Sequence, residues 1–127
     1  MCLFYFCVYV LRIILEAQRT CRTVTLFNNL SWIPFYNEVY IKRCELAYKR
    51  IKGTLPDYLN ASLRKNSDAH SIVTRYCNID LLCHLYRNIT EGGRTFNVRT
   101  EKDWNNLPLS LKKKNSMKSF KAELLLM

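Results

Sequence analysis

A chain of 127 residues is long enough for one modest core, and a make-up of 49% hydrophobic and 24% charged residues excludes a disordered polyelectrolyte. Three Gly and three Pro exclude a loop-rich or many-stranded β fold. Twenty Lys and Arg against ten Asp and Glu leave a net charge of +10, which selects polyanionic partners, nucleic acid first and anionic lipid second.

Residues 3–15 are nearly all apolar, broken only by Arg12. The stretch is shorter than the roughly 20 residues a membrane-spanning helix needs. It also lacks the positive lead and small-residue cleavage site of a signal peptide. A buried helix is expected here; a signal or anchor segment, or a start foreign to the rest of the chain, are the alternatives.

The strongest local signal is a helix over 33–52, with Ser31 as its cap, Pro34 in its first turn and Gly53 as its stop. At 100° per residue, Tyr36, Tyr40, Cys44, Ala47, Tyr48 and Ile51 share one face. Phe35, Val39 and Leu46 form a second apolar patch almost opposite. A helix apolar on two sides packs against two neighbours.

A short helix is predicted from Pro56, capped by Thr54, with Leu55, Leu59 and Leu63 inward. Residues 64–70 read as loop. Residues 71–86 are ambiguous, Ile72-Val73 favouring a strand and 81–86 a helical turn. Gly92-Gly93 is a break, and the alternation of Thr95, Phe96, Asn97 and Val98 predicts a short strand. Thr100 with Asp103 forms a capping-box pattern that places Trp104 on a short helix ended by Pro108. The last helix is predicted near Ser116, with Met117, Phe120 and Leu124 inward and Lys118 and Lys121 outward. With no repeat and no linker to divide it, the chain reads as one mainly α unit, a small helical domain fragment with at most a short strand or hairpin.

Metal-dependent nucleotidyl transfer needs carboxylates close enough to share cations. Asp57, Asp68, Asp80 and Asp103 stand alone, no Asp-Asp pair exists, and no enzyme activity is expected. Zinc would draw on His70, Cys77, Cys83 and His84, but Cys77 and Cys83 are too far apart for a knuckle and Cys83-His84 are adjacent. No metal and no cofactor is expected. Gly92-Gly93 runs into Arg94, which is no phosphate-cradling loop. The six cysteines (Cys2, Cys7, Cys21, Cys44, Cys77, Cys83) follow no dense disulfide spacing and read as reduced thiols. Sequons stand at Asn29, Asn60 and Asn88.

What remains is basic residues among aromatics. Arg87, Arg94 and Arg99 flank Tyr86 and Phe96, and Lys112, Lys113 and Lys114 follow Trp104. Such mixtures pair phosphates and stack bases. The candidate nucleic-acid-binding residues are Arg94, Arg99, Lys112, Lys113 and Lys114. The competing account makes the aromatics core and the charges a solvated surface.

The order of landmarks says more than any one of them. It runs from Arg12-Ile13-Ile14-Leu15 and Leu30-Ser31-Trp32-Ile33-Pro34-Phe35 through Tyr48-Lys49 with Gly53 to Leu55-Pro56-Asp57-Tyr58-Leu59. Thr74-Arg75, Arg94-Thr95-Phe96, Trp104-Asn105-Asn106-Leu107-Pro108 and Ser119-Phe120-Lys121 follow. This succession resembles the region downstream of the polymerase core in non-LTR, LINE-like retrotransposon reverse transcriptases. The resemblance covers about residues 11–125, so the chain divides into 1–10, an apolar lead-in outside the family pattern, and a helical segment 11–127. It implies thumb-side helices that lean on a template-primer duplex, with the metal-binding aspartates and the endonuclease upstream. The expectation is a truncated, non-catalytic remnant with sequence-independent affinity for RNA or DNA. Its natural neighbour would be the missing polymerase core, its setting nuclear or cytoplasmic, and a membrane partner is not expected. The alternative is a small secreted or membrane-anchored protein, built on the apolar start, the six cysteines and the three sequons.

Overall fold

The computed structural model describes residues 2–127, Cys2 by its backbone alone. The described residues form α1 (Cys2–Ile14), α2 (Thr23–Asn29), α3 (Phe35–Lys52), α4 (Asp57–Asn60), α5 (Asn66–Ala69), α6 (Phe96–Asn105), α7 (Leu109–Lys112) and α8 (Met117–Leu126). Among them the only β pairing is one isolated antiparallel bridge between Lys65 and Leu81. The fold is mainly α. It divides into two compact units, one running to Val39 and the other Tyr40–Met127. The sequence reading expected one unit, because the boundary falls inside α3 and no linker marks it.

In the first unit, α1 contains neither Gly nor Pro to interrupt it. Val8 and Leu11, flanked by the partly buried Phe4 and Leu15, form one row at helical spacing and pack on Leu26 and Phe27 of α2. The rest of α1 is not buried as expected. Leu3, Tyr5, Phe6, Tyr9, Ile13 and Ile14 are 52–70% exposed. The seven residues of α2 offer only one buried apolar pair, too little to cover a helix that is apolar on every side.

Three helices end alike. Two or three residues past each end an N–H reaches back five positions, from Ala17 to Arg12, Trp32 to Phe27 and Thr54 to Lys49, at 2.9–3.0 Å. The residue between lies in the left-handed region: Glu16 at φ 49°, Ser31 at 53° and Gly53 at 75°. Gly53 is the predicted stop. Ser31, expected to cap α3, closes α2 instead.

The second unit is built around Trp104 and Phe120, both fully buried, with Ile41, Cys44, Ala47 and Tyr48 of α3. Tyr48 stacks on Phe120 at 4.7 Å between ring centroids, and Trp104 tilts against Phe120 at 6.0 Å. Leu55, Leu63, Leu81, Leu107, Leu111 and Leu124 complete the core. The last helix behaves as its period predicts, with Phe120 and Leu124 inward. Leu46, assigned to the second face of α3, is partly buried against this same core.

Two local readings change. The 64–70 loop holds α5, whose Asp68 carboxylate accepts the Lys65 N–H at 3.1 Å and the Arg50 guanidinium at 3.0 Å. The predicted strand at 95–98 is the start of α6: Thr95 sits at its N-cap position, and Val98, Glu101 and Trp104 recur at helical spacing. A four-residue alternation cannot make a strand without a partner, and none lies beside it. Thr100 is therefore no cap, and its hydroxyl bonds back to the Phe96 carbonyl at 2.7 Å.

Candidate nucleic-acid interface

One face of α6 holds the irregular segment 79–84 by hydrogen bonds. The indole N–H of Trp104 donates to the Ile79 carbonyl at 2.7 Å. The Asn105 side chain pairs with Leu81 as a neighbouring strand would: its Nδ2 donates to the Leu81 carbonyl at 2.9 Å, and its Oδ1 accepts the Leu81 N–H at 3.0 Å. Glu101, fully buried, accepts the His84 backbone N–H at 2.9 Å with Oε2 and meets the His84 ring with Oε1. Backbone groups that no helix or sheet would satisfy are paired in this way. The run from Trp104 to Pro108 thus acts first as a fastening, and its role is structural at Trp104 and Asn105.

The five candidate residues separate. Arg94 and Arg99 are exposed, before and within the first turns of α6, and take part in no ion pair among the described residues. Lys113 is likewise exposed and unpaired. Lys114 is half-buried, and its ammonium meets Glu123 at 2.7 Å. Lys112 points inward. Only 7% exposed, it donates to Asp80 at 3.0 Å and to the Asn105 carbonyl at 2.9 Å, so its charge is spent within the fold. Adjacent lysines share a sequence run but diverge by about 100° around a helix, which is why one run splits into core and surface.

The aromatics also divide. Trp104 is core, whereas Phe96 is 46% exposed and Tyr86 37%. Lys102 stands 4.5 Å over the Tyr86 ring, and a Cβ on Gly93 would come within 2.9 Å of that ring. Sequence reasoning missed Lys102, which stands six residues beyond Phe96 on α6. The spacing from Phe96 through Arg99 to Lys102 is three residues at each step, a readable sign of one surface row once the segment is known to be helical.

Three of the four isolated aspartates serve as counter-ions, and Asp57 accepts the Asn60 amide at 3.4 Å. Asp103 takes the Nε and Nη2 of Arg43 on one oxygen, both at 2.7 Å, and Asp68 and Asp80 hold Arg50 and Lys112. Burial beside this pair pushes the Cys44 thiol up to about 12, helped by the Asp103 charge. Tyr40 is raised to about 12, first by burial and then by Cys44. At that value Cys44 is an inert, protonated core thiol at neutral pH.

His70 and Cys77 line an open cleft of about 370 Å³ with Asn66, Ile72 and Thr74, while Cys83 and His84 lie on the segment fastened to α6. Among the described residues no three His, Cys, Asp or Glu side chains gather as metal ligands. Cys7, Cys21, Cys44, Cys77 and Cys83 are free thiols. Of the sequons, Asn29 and Asn88 are exposed, and Asn60 is turned toward Leu55 and Asp57.

Ion pairing leaves a surface with a surplus of cations. Residues 40–127 contain seventeen Lys and Arg and eight Asp and Glu. Six of those carboxylates are engaged internally, by Lys, Arg or His84. Comparison with protein-family models, with curated proteins and with solved structures found no match to this chain.

Proposed function

We propose that this chain is a non-catalytic C-terminal piece of a non-LTR retrotransposon reverse transcriptase that retains sequence-independent affinity for nucleic acid. The ordered landmarks carry the family half of this reading. The observation that carries the binding half is the surplus of exposed cations in residues 40–127, whose carboxylates are mostly occupied by internal pairs. Arg94, Arg99 and Lys113 are the charges best placed to meet phosphates, with Lys102 added and Lys112 removed from the set suggested by sequence. Phosphate contacts of this kind position a protein without reading bases.

The test is a titration of duplex and single-stranded RNA and DNA at several salt concentrations. Each neutralised phosphate releases counterions, so affinity should fall steeply with salt, with a slope of about 0.7–0.9 per contact on logarithmic axes. Changing Arg94, Arg99 and Lys113 together to Ala should lower that slope by about one for each residue lost from a contact. No affinity at low salt, or a slope indifferent to the triple change, would remove the binding half. The family half is tested separately, by whether the genomic DNA upstream encodes an intact or decayed polymerase frame.

A further inference from the structure

Nucleic-acid binding leaves the outer side of α1 without a physical account. Tyr5, Phe6, Tyr9 and Ile13, with Leu3 and Ile14, occupy roughly half the circumference of the helix, and no charged residue interrupts 2–11. A contiguous apolar face of this kind on a soluble chain marks an interaction surface.

Three observations narrow its occupant. The thirteen residues of α1 measure about 20 Å, well short of a bilayer core, and no helix among the described residues is long and apolar enough to cross a membrane. The opposite row is already seated on Leu26 and Phe27, so the helix has one free side to offer and would lie along a surface rather than enter it end-on. The chain also carries +10, nearly all of it from Tyr40 onward. That charge attracts an anionic surface at long range however the two units are disposed, and it repels a second copy of the same chain. Tyrosine suits such a place, with an apolar ring and a hydroxyl that stays wet.

We propose that α1 docks flat in the interface of an anionic lipid bilayer, inserting Tyr5, Phe6, Tyr9 and Ile13, with the net positive charge of the chain drawing it to that surface. Apolar insertion and electrostatic attraction to anionic headgroups are the two signals that stable peripheral attachment combines. This reading does not depend on retrotransposon origin.

The experiment is co-sedimentation of the full chain with phosphatidylcholine vesicles, with and without phosphatidylserine, at low and physiological salt. Binding should favour the anionic vesicles by about tenfold or more and weaken with salt. The double variant Phe6→Glu with Tyr9→Glu should lose about tenfold or more in vesicle binding while keeping its affinity for nucleic acid. Both side chains are exposed, so helicity by circular dichroism should be unchanged. A nitroxide on Cys7, in a chain with Cys2, Cys21 and Cys83 replaced by Ser, should lose access to an aqueous relaxant when vesicles are added. Failure to bind, or binding equal in wild type and double variant, would overturn the proposal. So would a wild-type chain that sediments as a dimer when the double variant is monomeric, since the face would then belong to a second copy.

Discussion

Up to Val39 the chain shields Val8, Leu11, Leu26 and Phe27 and leaves Tyr5, Phe6, Tyr9, Trp32, Phe35 and Tyr36 largely in solvent. From Tyr40 onward the large aromatics Tyr48, Trp104 and Phe120 are buried together, and the polar groups beside them are paired. The first region is much the more apolar in sequence, with 25 of its 39 residues hydrophobic against 37 of 88, yet far fewer elements meet in it. A single short helix against α1 can cover one row, whereas α3, α6, α7 and α8 with the 55–63 and 79–84 segments supply apolar side chains from several directions. Charge follows the same division, because nearly all of the surplus of Lys and Arg lies in the second region. Apolar content alone therefore does not make a core; convergence of elements does.

The contrast is broken most directly at Trp104. Trp104→Ala should cost about 3–5 kcal/mol, by cavity formation and loss of the bond to Ile79, whereas Phe6→Ser in the exposed part of α1 should change stability by less than about 0.5 kcal/mol. Chemical denaturation of both variants decides it, and comparable losses would mean that α1 is covered in solution. Next in size is Asn105→Ala, which strands the Leu81 N–H and C=O and should cost about 1–3 kcal/mol. Hydrogen exchange should then report faster opening of the Leu81 amide than of the amides in α8.

A smaller effect sharpens the account of the second core. Cys44 titrates at about 12 in the fold against 9.0 ordinarily, and Tyr40 at about 12 against 10.0. The folded state thus retains protons that the unfolded chain releases. Stability from these groups is fully present below about pH 9 and is lost as pH rises toward 12. Thermal unfolding between pH 8 and 11.5 should show the decline, and Cys44→Ala should flatten it. Smallest are the non-glycine left-handed helix ends. Glu16→Gly and Ser31→Gly should each stabilise by up to about 1 kcal/mol, the strain relieved exceeding the added chain entropy. The matched change at Thr20, which is not in that conformation, should not.

Much of the fold was legible in short-range pattern. The period of α3, its stop at Gly53 and the inward Phe120 and Leu124 of α8 follow from spacing along a single helix. The misread elements failed for a common reason. Thr95 to Val98 fits strand and helix equally over four residues, and only the missing strand partner and the buried Glu101 and Trp104 beyond decide for a helix. Ser31 carries the chemistry of a cap, yet its position just beyond the C-cap Leu30 of α2 sets its left-handed role.

The candidate interface was legible only in part. Composition established the positive charge, but not which ammonium groups face water. Lys112 and Lys113 are neighbours of identical chemistry; Asp80, 32 residues away, and the Asn105 carbonyl draw one inward and leave the other out. The amino-acid sequence by itself determined helical class, charge and the stop of α3 at Gly53, because these depend on composition or on residues within a few positions of one another. Tertiary structure alone decided which apolar face found cover and which cation remained free, because both depend on groups that meet only when distant segments fold together.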